Sequence, residues 1–260
     1  MAEPLYEVYA IRYARHDRKA SENFLGGDPH DVPMPLDYFV WAIVGDKHTF
    51  VVDTGFGAEE ARARGRELLR SPADGLAAIG IDAKRVETVI LTHLHYDHAG
   101  NLDLFPNAGF HVQDKEMQYV TGRCMCHTTL RASFAEADVV GMVRRLFAGR
   151  LVFHDGAEEI APGVSLHFIG GHTMGLQSVR VATRRGNVVL ASDAAHLYAH
   201  LEQRRAFPVV YSVADMLAGH DTLRRLADSP AHIVPGHDPL VMRRYPAARP
   251  ELEGVVVRLD

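Results

Sequence analysis

Three histidines and one aspartate fall within six positions of the chain, in the pattern H-x-H-x-D-H from His93 to His98. Side chains two residues apart in extended backbone point the same way, so His93 and His95 can bind one ion together. Asp97 and His98 can turn toward a neighbouring ion as the chain enters the next helix. Imidazole and carboxylate groups are typical ligands of Zn²⁺, although Fe and Mn accept the same set. The motif therefore predicts a metal centre that can hold two ions.

Three further candidate ligands follow predicted strands later in the chain, namely His172, Asp193 and His237. Loops at one rim of a sheet commonly gather functional groups, so we expect these side chains to approach the first motif. Most of the 16 histidines must have ordinary core or surface roles, and position matters more than number. Two ions held by such ligands can lower the pKa of a shared water toward neutrality. Hydrolysis is the chemistry that this set predicts.

Short apolar segments bounded by turn residues must position these side chains. Strands are predicted at residues 38–44, 49–53, 86–91, 164–169, 179–182, 188–191 and 232–234, the last being the final strand of the chain. Helices are predicted at 58–70 and 72–78, over most of 115–147, and at 213–226, where Ser212 and Asp215 resemble a capping box. Two sheet-forming halves with flanking helices predict a four-layered α/β sandwich. Because no linker is visible, we expect residues 1–260 to form one domain.

Composition narrows the classes of function and location. Hydrophobic residues make up 47% and charged residues 23% of the chain, which is typical of a globular protein. The net charge of −5 and the scattered basic residues argue against a nucleic-acid partner. Because the chain has no apolar run of signal-peptide or membrane-spanning length, we predict a cytoplasmic protein with no membrane partner. Cys124 and Cys126 are too close for an ordinary disulfide, and reduced thiols are expected.

The motif HLHYDHAGN, together with Gly171-His172-Thr173, Ser192-Asp193 and Gly236-His237, resembles the metallo-β-lactamase superfamily in order and spacing across nearly the whole chain. The resemblance implies an αββα sandwich with metals at the rim between the two sheets. It also implies the assignment of ligands: His93, His95 and His172 to the first metal, Asp97, His98 and His237 to the second, and Asp193 as the bridge.

Within that superfamily, the segments GGHTMGLQSV, LASDAAHLYAH and PGHDP look most like the N-acyl homoserine lactone lactonases, which are quorum-quenching enzymes. The resemblance implies two divalent ions, zinc first with Fe or Mn as alternatives, and a metal-bridging hydroxide that attacks the carbonyl of a lactone or related small cyclic ester. It implies a small-molecule substrate and suggests a homodimer. Asp97 and His196 are the predicted catalytic residues.

His196 is a departure from the lactonase pattern. Many of those enzymes carry a tyrosine three residues after the bridging aspartate, where its hydroxyl contacts the substrate carbonyl, and His196 stands at that position. A histidine could donate the same hydrogen bond or protonate the leaving oxygen. The alternative is a histidine that supports the site from behind or lies on the surface. Tyr198 is a possible substitute for the tyrosine, and Tyr96 is expected to line the pocket.

Several other residues have two open interpretations. In the segment VVDTG, Asp53 either orients a metal-binding histidine, as the resemblance implies, or forms a turn. Thr173 either supports a ligand in the same way or shapes its loop. The long polar segment at residues 15–37 borders the pocket, forms a dimer contact or is a surface excursion. For Cys124 and Cys126, a metal site lacks a partner pair, and buried thiols near the substrate entrance are preferred.

Two other functions compete with lactone hydrolysis. A thioester hydrolase of the glyoxalase II kind shares the metal set, but it usually needs basic residues for an anionic thiol carrier, and the sequence displays no such cluster. A binding module that kept the fold and lost the chemistry would be favoured by a missing ligand. None of the seven ligands is missing, so hydrolysis is the leading prediction.

Overall fold

The computed structural model describes residues 5–260. Residues 1–4 lie outside this range. They belong to the N-terminal segment for which the sequence predicts no signal peptide. In chain order the strands are β1 Glu7–His16, β2 Leu36–Val44, β3 Thr49–Val52, β4 Glu67–Leu68, β5 Thr88–Ile90, β6 Gly109–Gln113, β7 Leu151–His154, β8 Ala157–Ala161, β9 Val164–Phe168, β10 Gln177–Thr183, β11 Gly186–Ser192, β12 Ile233–Pro235 and β13 Val256–Arg258.

Along the chain, most of the helices connect two strands of the same sheet. They are α1 Ala20–Asn23, α2 Ala58–Arg64, α3 Pro72–Ala77, α4 Tyr96–Ala99, α5 Asp114–Val120, α6 Thr128–Arg131, α7 Glu136–Phe147, α8 Tyr198–Gln203, α9 Val213–Leu226 and α10 Val241–Arg244. Within residues 5–260, none of them combines the length and the apolar composition that crossing a bilayer requires.

The strands form two sheets. The larger has the order β13-β1-β2-β3-β5-β6-β7, with β4 paired to β1, and the smaller has the order β12-β11-β10-β9-β8. Neighbouring strands from β3 to β7 in the larger sheet run parallel, as do β11 and β12 in the smaller. The carboxyl ends of these parallel strands meet at shared rims, which is where loops can collect functional side chains.

The apolar side chains divide into layers that match the predicted αββα sandwich. Trp41 and Val52 of the larger sheet share one buried cluster with Val179 and Leu190 of the smaller, so the two sheets pack face to face. The outer face of the larger sheet is covered by α3, α5 and α7, whose apolar residues join a second cluster. The outer face of the smaller sheet packs against α9. The predicted fold is confirmed.

Local signals located many of the elements correctly. The hairpin of β2 and β3 turns at residues 45–48, and the hairpin of β10 and β11 follows the predicted pairing. Ser71 caps α3 by accepting a hydrogen bond from the backbone N–H of Ala73, and Ser212 caps α9 by accepting one from that of Asp215.

One predicted boundary and one predicted order were wrong. The helix predicted at 58–70 ends at Arg64, because Gly65 adopts a left-handed φ of 64° and the chain then forms β4 beside β1. The strand at 232–234 is not the final one, since β13 follows it and pairs with β1. Both differences involve β1, a strand that the sequence analysis did not assign and that supplies the partner for each segment.

Candidate metal centre

The seven predicted ligands lie at one rim of the sandwich, at strand ends or in the segments that follow them. They are His93 and His95 after β5, Asp97 and His98 in α4, His172 between β9 and β10, Asp193 after β11 and His237 after β12. All are buried, with Asp97 the most exposed at 8%. The fold therefore brings together, away from bulk water, every ligand that the sequence predicts.

Four of these residues form the first group. The Nε2 atom of His172 lies 3.0 Å from His95 Nδ1 and 3.0 Å from Asp193 Oδ2. His93 Nε2 lies 3.7 Å from the same carboxylate oxygen. One ligand atom from each of the four falls within 4.8 Å of all the others, so this group could hold a single ion.

The second group is built around the other oxygen of the same aspartate. Asp193 Oδ1 lies 3.0 Å from His237 Nε2 and 3.3 Å from His98 Nε2. Asp97 Oδ2 lies 3.8 Å and 3.6 Å from those two nitrogens. Asp97, His98 and His237 also satisfy the 4.8 Å criterion as a group. The two oxygens of Asp193 therefore face different groups, as a bridging carboxylate must.

Unpaired nitrogens indicate that the residues fit metal ions. Among the described residues, the Nε2 atoms of His93 and His98 have no hydrogen-bond partner although both are buried. Buried polar atoms are normally paired, and such atoms call for an explanation. Burial lowers the pKa of His93 and of His95 far below the usual value. Both imidazoles are therefore neutral at pH 7 and offer lone pairs, the form that binds metals.

The acidic residues produce the opposite shift at two other ligands. Burial acts to lower the pKa of His98, but attraction from Asp193, Asp97 and Asp53 outweighs it, and the pKa rises well above its usual value. The pKa of His237 rises because Asp193 likewise outweighs burial. The centre thus favours positive charge beside its carboxylates, which a divalent cation supplies.

The rear nitrogens of several ligands are held by the protein. His172 Nδ1 contacts the carbonyl oxygen of Val209 at 2.7 Å, and His237 Nδ1 contacts that of Asp37 at 3.0 Å. When the Nδ1–H group donates a hydrogen bond to the carbonyl oxygen, the Nε2 atom of the same ring is left as the free acceptor. Such contacts fix the ring orientation and the tautomer of metal-binding histidines.

Asp53 holds the Nδ1 atom of His98 in the same way. Its Oδ2 atom accepts a hydrogen bond of 2.7 Å from His98 Nδ1 and one of 2.8 Å from the Thr92 hydroxyl, while Oδ1 accepts one from the Thr92 backbone N–H. Asp53 adopts a left-handed φ of 63°, an uncommon conformation for a residue other than glycine. These contacts favour the orienting interpretation of Asp53 over the turn.

A buried glutamate that the sequence analysis missed joins two ligand loops. Glu116 of α5 accepts hydrogen bonds from the Leu94 backbone N–H at 2.9 Å, from the Gly175 backbone N–H at 3.0 Å and from the Thr173 hydroxyl at 2.7 Å. A Cβ at Gly175 would lie 2.0 Å from the Glu116 backbone nitrogen, so only glycine permits this approach. Thr173 therefore supports its loop through Glu116. No spacing in the sequence signals the contact.

The structure places His196 against the metal centre. Its Nε2 atom lies 3.0 Å from Asp193 Oδ2, and its ring stacks on Phe207 at a centroid distance of 3.6 Å. Asp193, His196 and His237 form a third set of side chains close enough to share an ion. Among the described residues His196 Nδ1 has no hydrogen-bond partner. His196 is thus buried at the centre, and the surface interpretation is excluded.

A small cleft of about 70 Å³ opens onto the centre. The residues that line it outside the ligand set are Arg18, Leu36, Tyr38, Arg66, Tyr96, Ser133, His196, Phe207 and Val209. Tyr96 lines the cleft as predicted, and the segment at 15–37 contributes Arg18 and Leu36. Tyr198 does not line it, because its ring joins the core between the two sheets beneath Arg244.

The predicted pair of buried thiols is not present. Cys126 is exposed and Cys124 is half-buried, in a short 3₁₀ helix that spans Arg123–Cys126. Neither residue belongs to a group that could hold a metal among the described residues. The prediction was wrong because this turn presents its second cysteine to solvent.

Comparisons with known proteins identify the family and the fold. The family model of the metallo-β-lactamase superfamily matches residues 34–237. The N-acyl homoserine lactonase AttM of Rhizobium radiobacter is 30% identical over 235 residues, which cover 82% of this chain and 85% of that protein.

Solved structures show the same fold. The crystal structure of a quorum-quenching N-acyl homoserine lactone lactonase superposes with a TM-score of 0.75 at 21% identity, covering 92% of this chain and 95% of that one. AidC, a dizinc quorum-quenching lactonase solved with a product bound, superposes with a TM-score of 0.70 at 16% identity, covering 92% and 90%.

Proposed function

The chain belongs to the metallo-β-lactamase superfamily, and on that premise we propose that it is a dinuclear metal-dependent hydrolase that opens the ring of a lactone or a related small cyclic ester. The observation that carries the proposal is the single buried carboxylate of Asp193, whose two oxygens face two separate groups of ligands. The lactonase relatives supply the substrate class.

The proposed ligand sets follow the two groups. His93, His95 and His172 would hold the first ion, Asp97, His98 and His237 would hold the second, and Asp193 would offer one carboxylate oxygen to each group. Zinc is the first choice because imidazole and carboxylate suit it and because AidC is a dizinc enzyme. When bound, two such ions supply an activated water and polarise the substrate carbonyl.

The protein side chains orient the ligands and contact the substrate. Asp53, together with the carbonyl groups behind His172 and His237, orients the imidazoles. Asp97 lines the cleft, where its carboxylate can accept a proton. Burial lowers the pKa of His196 well below its usual value, so this neutral imidazole can donate a hydrogen bond to the carbonyl or leaving oxygen of the substrate. Burial of both residues keeps bulk water from competing for these contacts.

A thioester hydrolase of the glyoxalase II kind is not favoured. The named relatives are lactonases or metallo-hydrolases, and the similarity extends over most of their length. The homodimer stays a prediction from the lactonase resemblance. The cytoplasmic location stays a prediction from the sequence.

Metal content and substrate preference test the proposal together. The purified protein, reconstituted with zinc and separated from free metal, is expected to hold about two ions per chain by elemental analysis. A pH-indicator assay over lactones, aryl esters and thioesters should show the highest kcat/KM for lactones. Activity on thioesters alone, or protein without bound metal under these conditions, would refute the proposed function.

Replacement of His196 separates its two possible roles. We expect His196→Ala to lower kcat for lactone opening by about 10²-fold, because loss of one hydrogen-bond donor aimed at the developing charge costs that much, while metal content stays at the wild-type value. His196→Tyr, which restores the hydroxyl of the lactonase relatives, should recover part of the rate. Loss of metal from His196→Ala in elemental analysis would instead make His196 a ligand, since its Nε2 lies 3.0 Å from Asp193.

A further inference from the structure

Two arginines from separate segments form one wall of the cleft. Arg18 follows β1, and Arg66 lies between α2 and β4. Both line the same cleft as the ligands His95, Asp97 and Asp193. Neither arginine stood out in the sequence, because they are 48 positions apart and only the pairing of β4 with β1 brings their segments together.

Neither guanidinium has a carboxylate partner in the described part of the chain. The ion pairs within 4.0 Å do not include Arg18 or Arg66, whereas their neighbours Arg15 and Arg64 are paired with acidic residues. The carboxylate of Glu22 attracts Arg18 from a longer distance and itself accepts a hydrogen bond from the Lys19 backbone N–H. The positive charge on this wall is therefore left available.

Neutral groups hold Arg66 in position. Its Nε atom donates to the Tyr96 hydroxyl at 3.1 Å, and its Nη1 atom lies 3.1 Å from His16 Nε2. Burial, with repulsion from Arg66 and Arg18, lowers the pKa of His16 to about 4, so this imidazole is an uncharged acceptor at pH 7. A tyrosine hydroxyl has an ordinary pKa of about 10, so that of Tyr96 is uncharged at pH 7 and adds no negative charge.

Arg18 is held by an aromatic ring. Its guanidinium carbon lies 5.2 Å from the ring centroid of Phe207, the same ring on which His196 stacks. Such a contact orients a guanidinium without neutralising it. Arg18 and His196 therefore both contact Phe207 and line the same cleft.

Holding two half-buried cations without a carboxylate partner costs free energy unless an anionic ligand pairs with them. Asp97 attracts Arg66, but the proposed function commits that carboxylate to a metal ion. We propose that Arg18 and Arg66 bind a carboxylate group on the substrate, so that the preferred lactones carry a compact negative charge close to the ring. Arginine suits this task because its planar fork matches a carboxylate, and the small cleft limits the charged substituent to a few atoms. This inference rests on the proposed function and specifies its substrate class.

A pair of isosteric lactones tests the inference. The probes are 5-oxotetrahydrofuran-2-carboxylate and its primary carboxamide, which differ in charge and little in shape. The zinc-loaded wild-type protein should show a kcat/KM ratio of carboxylate to carboxamide of about 10- to 100-fold, the range expected for hydrogen bonds to a charged group. Arg18→Gln and Arg66→Gln should each reduce this ratio by about tenfold, whereas Arg62→Gln, at an exposed position of α2, should leave it at the wild-type value.

Binding of the ring-opened products separates this inference from the proposed function. Calorimetric titration of the zinc-loaded protein with the two products gives the carboxylate-to-carboxamide affinity ratio without any turnover. A high ratio without lactone hydrolysis would reject the proposed function and support charge recognition. A ratio near one in the wild-type protein, or a high ratio that neither Arg18→Gln nor Arg66→Gln reduces, would overturn the inference even if lactones are opened.

Discussion

Asp193→Ala is expected to empty the metal centre and to reduce lactone hydrolysis on the order of 10³-fold or more, beyond the loss from removing one electrostatic group of an active site. The side chain contacts histidines of both groups through different oxygens, at 3.0 Å to His172 and 3.0 Å to His237. Its removal takes away the proposed bridge and one of the two carboxylates of the centre at once.

Elemental analysis after zinc reconstitution measures this loss directly, and circular dichroism verifies that the chain is still folded. Asp221→Ala is the matched control, because Asp221 is a half-exposed aspartate of α9 that pairs with Arg204 and Arg224 and lies outside the centre. It should keep both metals and full turnover. Retention of two zinc ions by Asp193→Ala would contradict the bridging assignment.

The second large effect is expected at Glu116. Glu116→Ala removes the acceptor of three buried hydrogen bonds, from Leu94, Thr173 and Gly175. Each buried donor left without a partner costs about 1–3 kcal/mol, so we expect a loss of about 3 kcal/mol or more in the free energy of unfolding. Because Glu116 joins the loops of His93 and His172, zinc affinity should fall by about 10- to 100-fold, as is usual for residues that support metal ligands.

Urea unfolding of the metal-free protein and competition for zinc with a chromogenic chelator measure the two effects separately. Glu116→Gln keeps one acceptor oxygen, so its losses should be intermediate. Gln118→Ala is the control, because Gln118 is an exposed residue of the same helix. Wild-type zinc affinity in folded Glu116→Ala would show that the glutamate does not position the ligands.

Residues close in the chain determined much of the site. The pattern from His93 to His98 works because backbone geometry fixes where side chains two residues apart point, and the strand β5 delivers it to the rim as expected. The hairpins ending near Asp53 and Asp193 were likewise visible in short apolar runs bounded by turns. The resemblance to a known superfamily then extended these local signals to the whole fold.

Only the tertiary structure decided which distant side chains complete the centre. Glu116 occupies a helix with no spacing signal, and its role depends on the approach of Gly175 from another loop. Within residues 5–260, Arg18 and Arg66 have no carboxylate partner, and strand pairing and packing place both at the cleft. Tyr198 lies near His196 in sequence, yet its ring packs between the sheets. A sequence records local periodicity directly, whereas contacts between remote segments depend on the packing of the whole chain, which no short pattern contains.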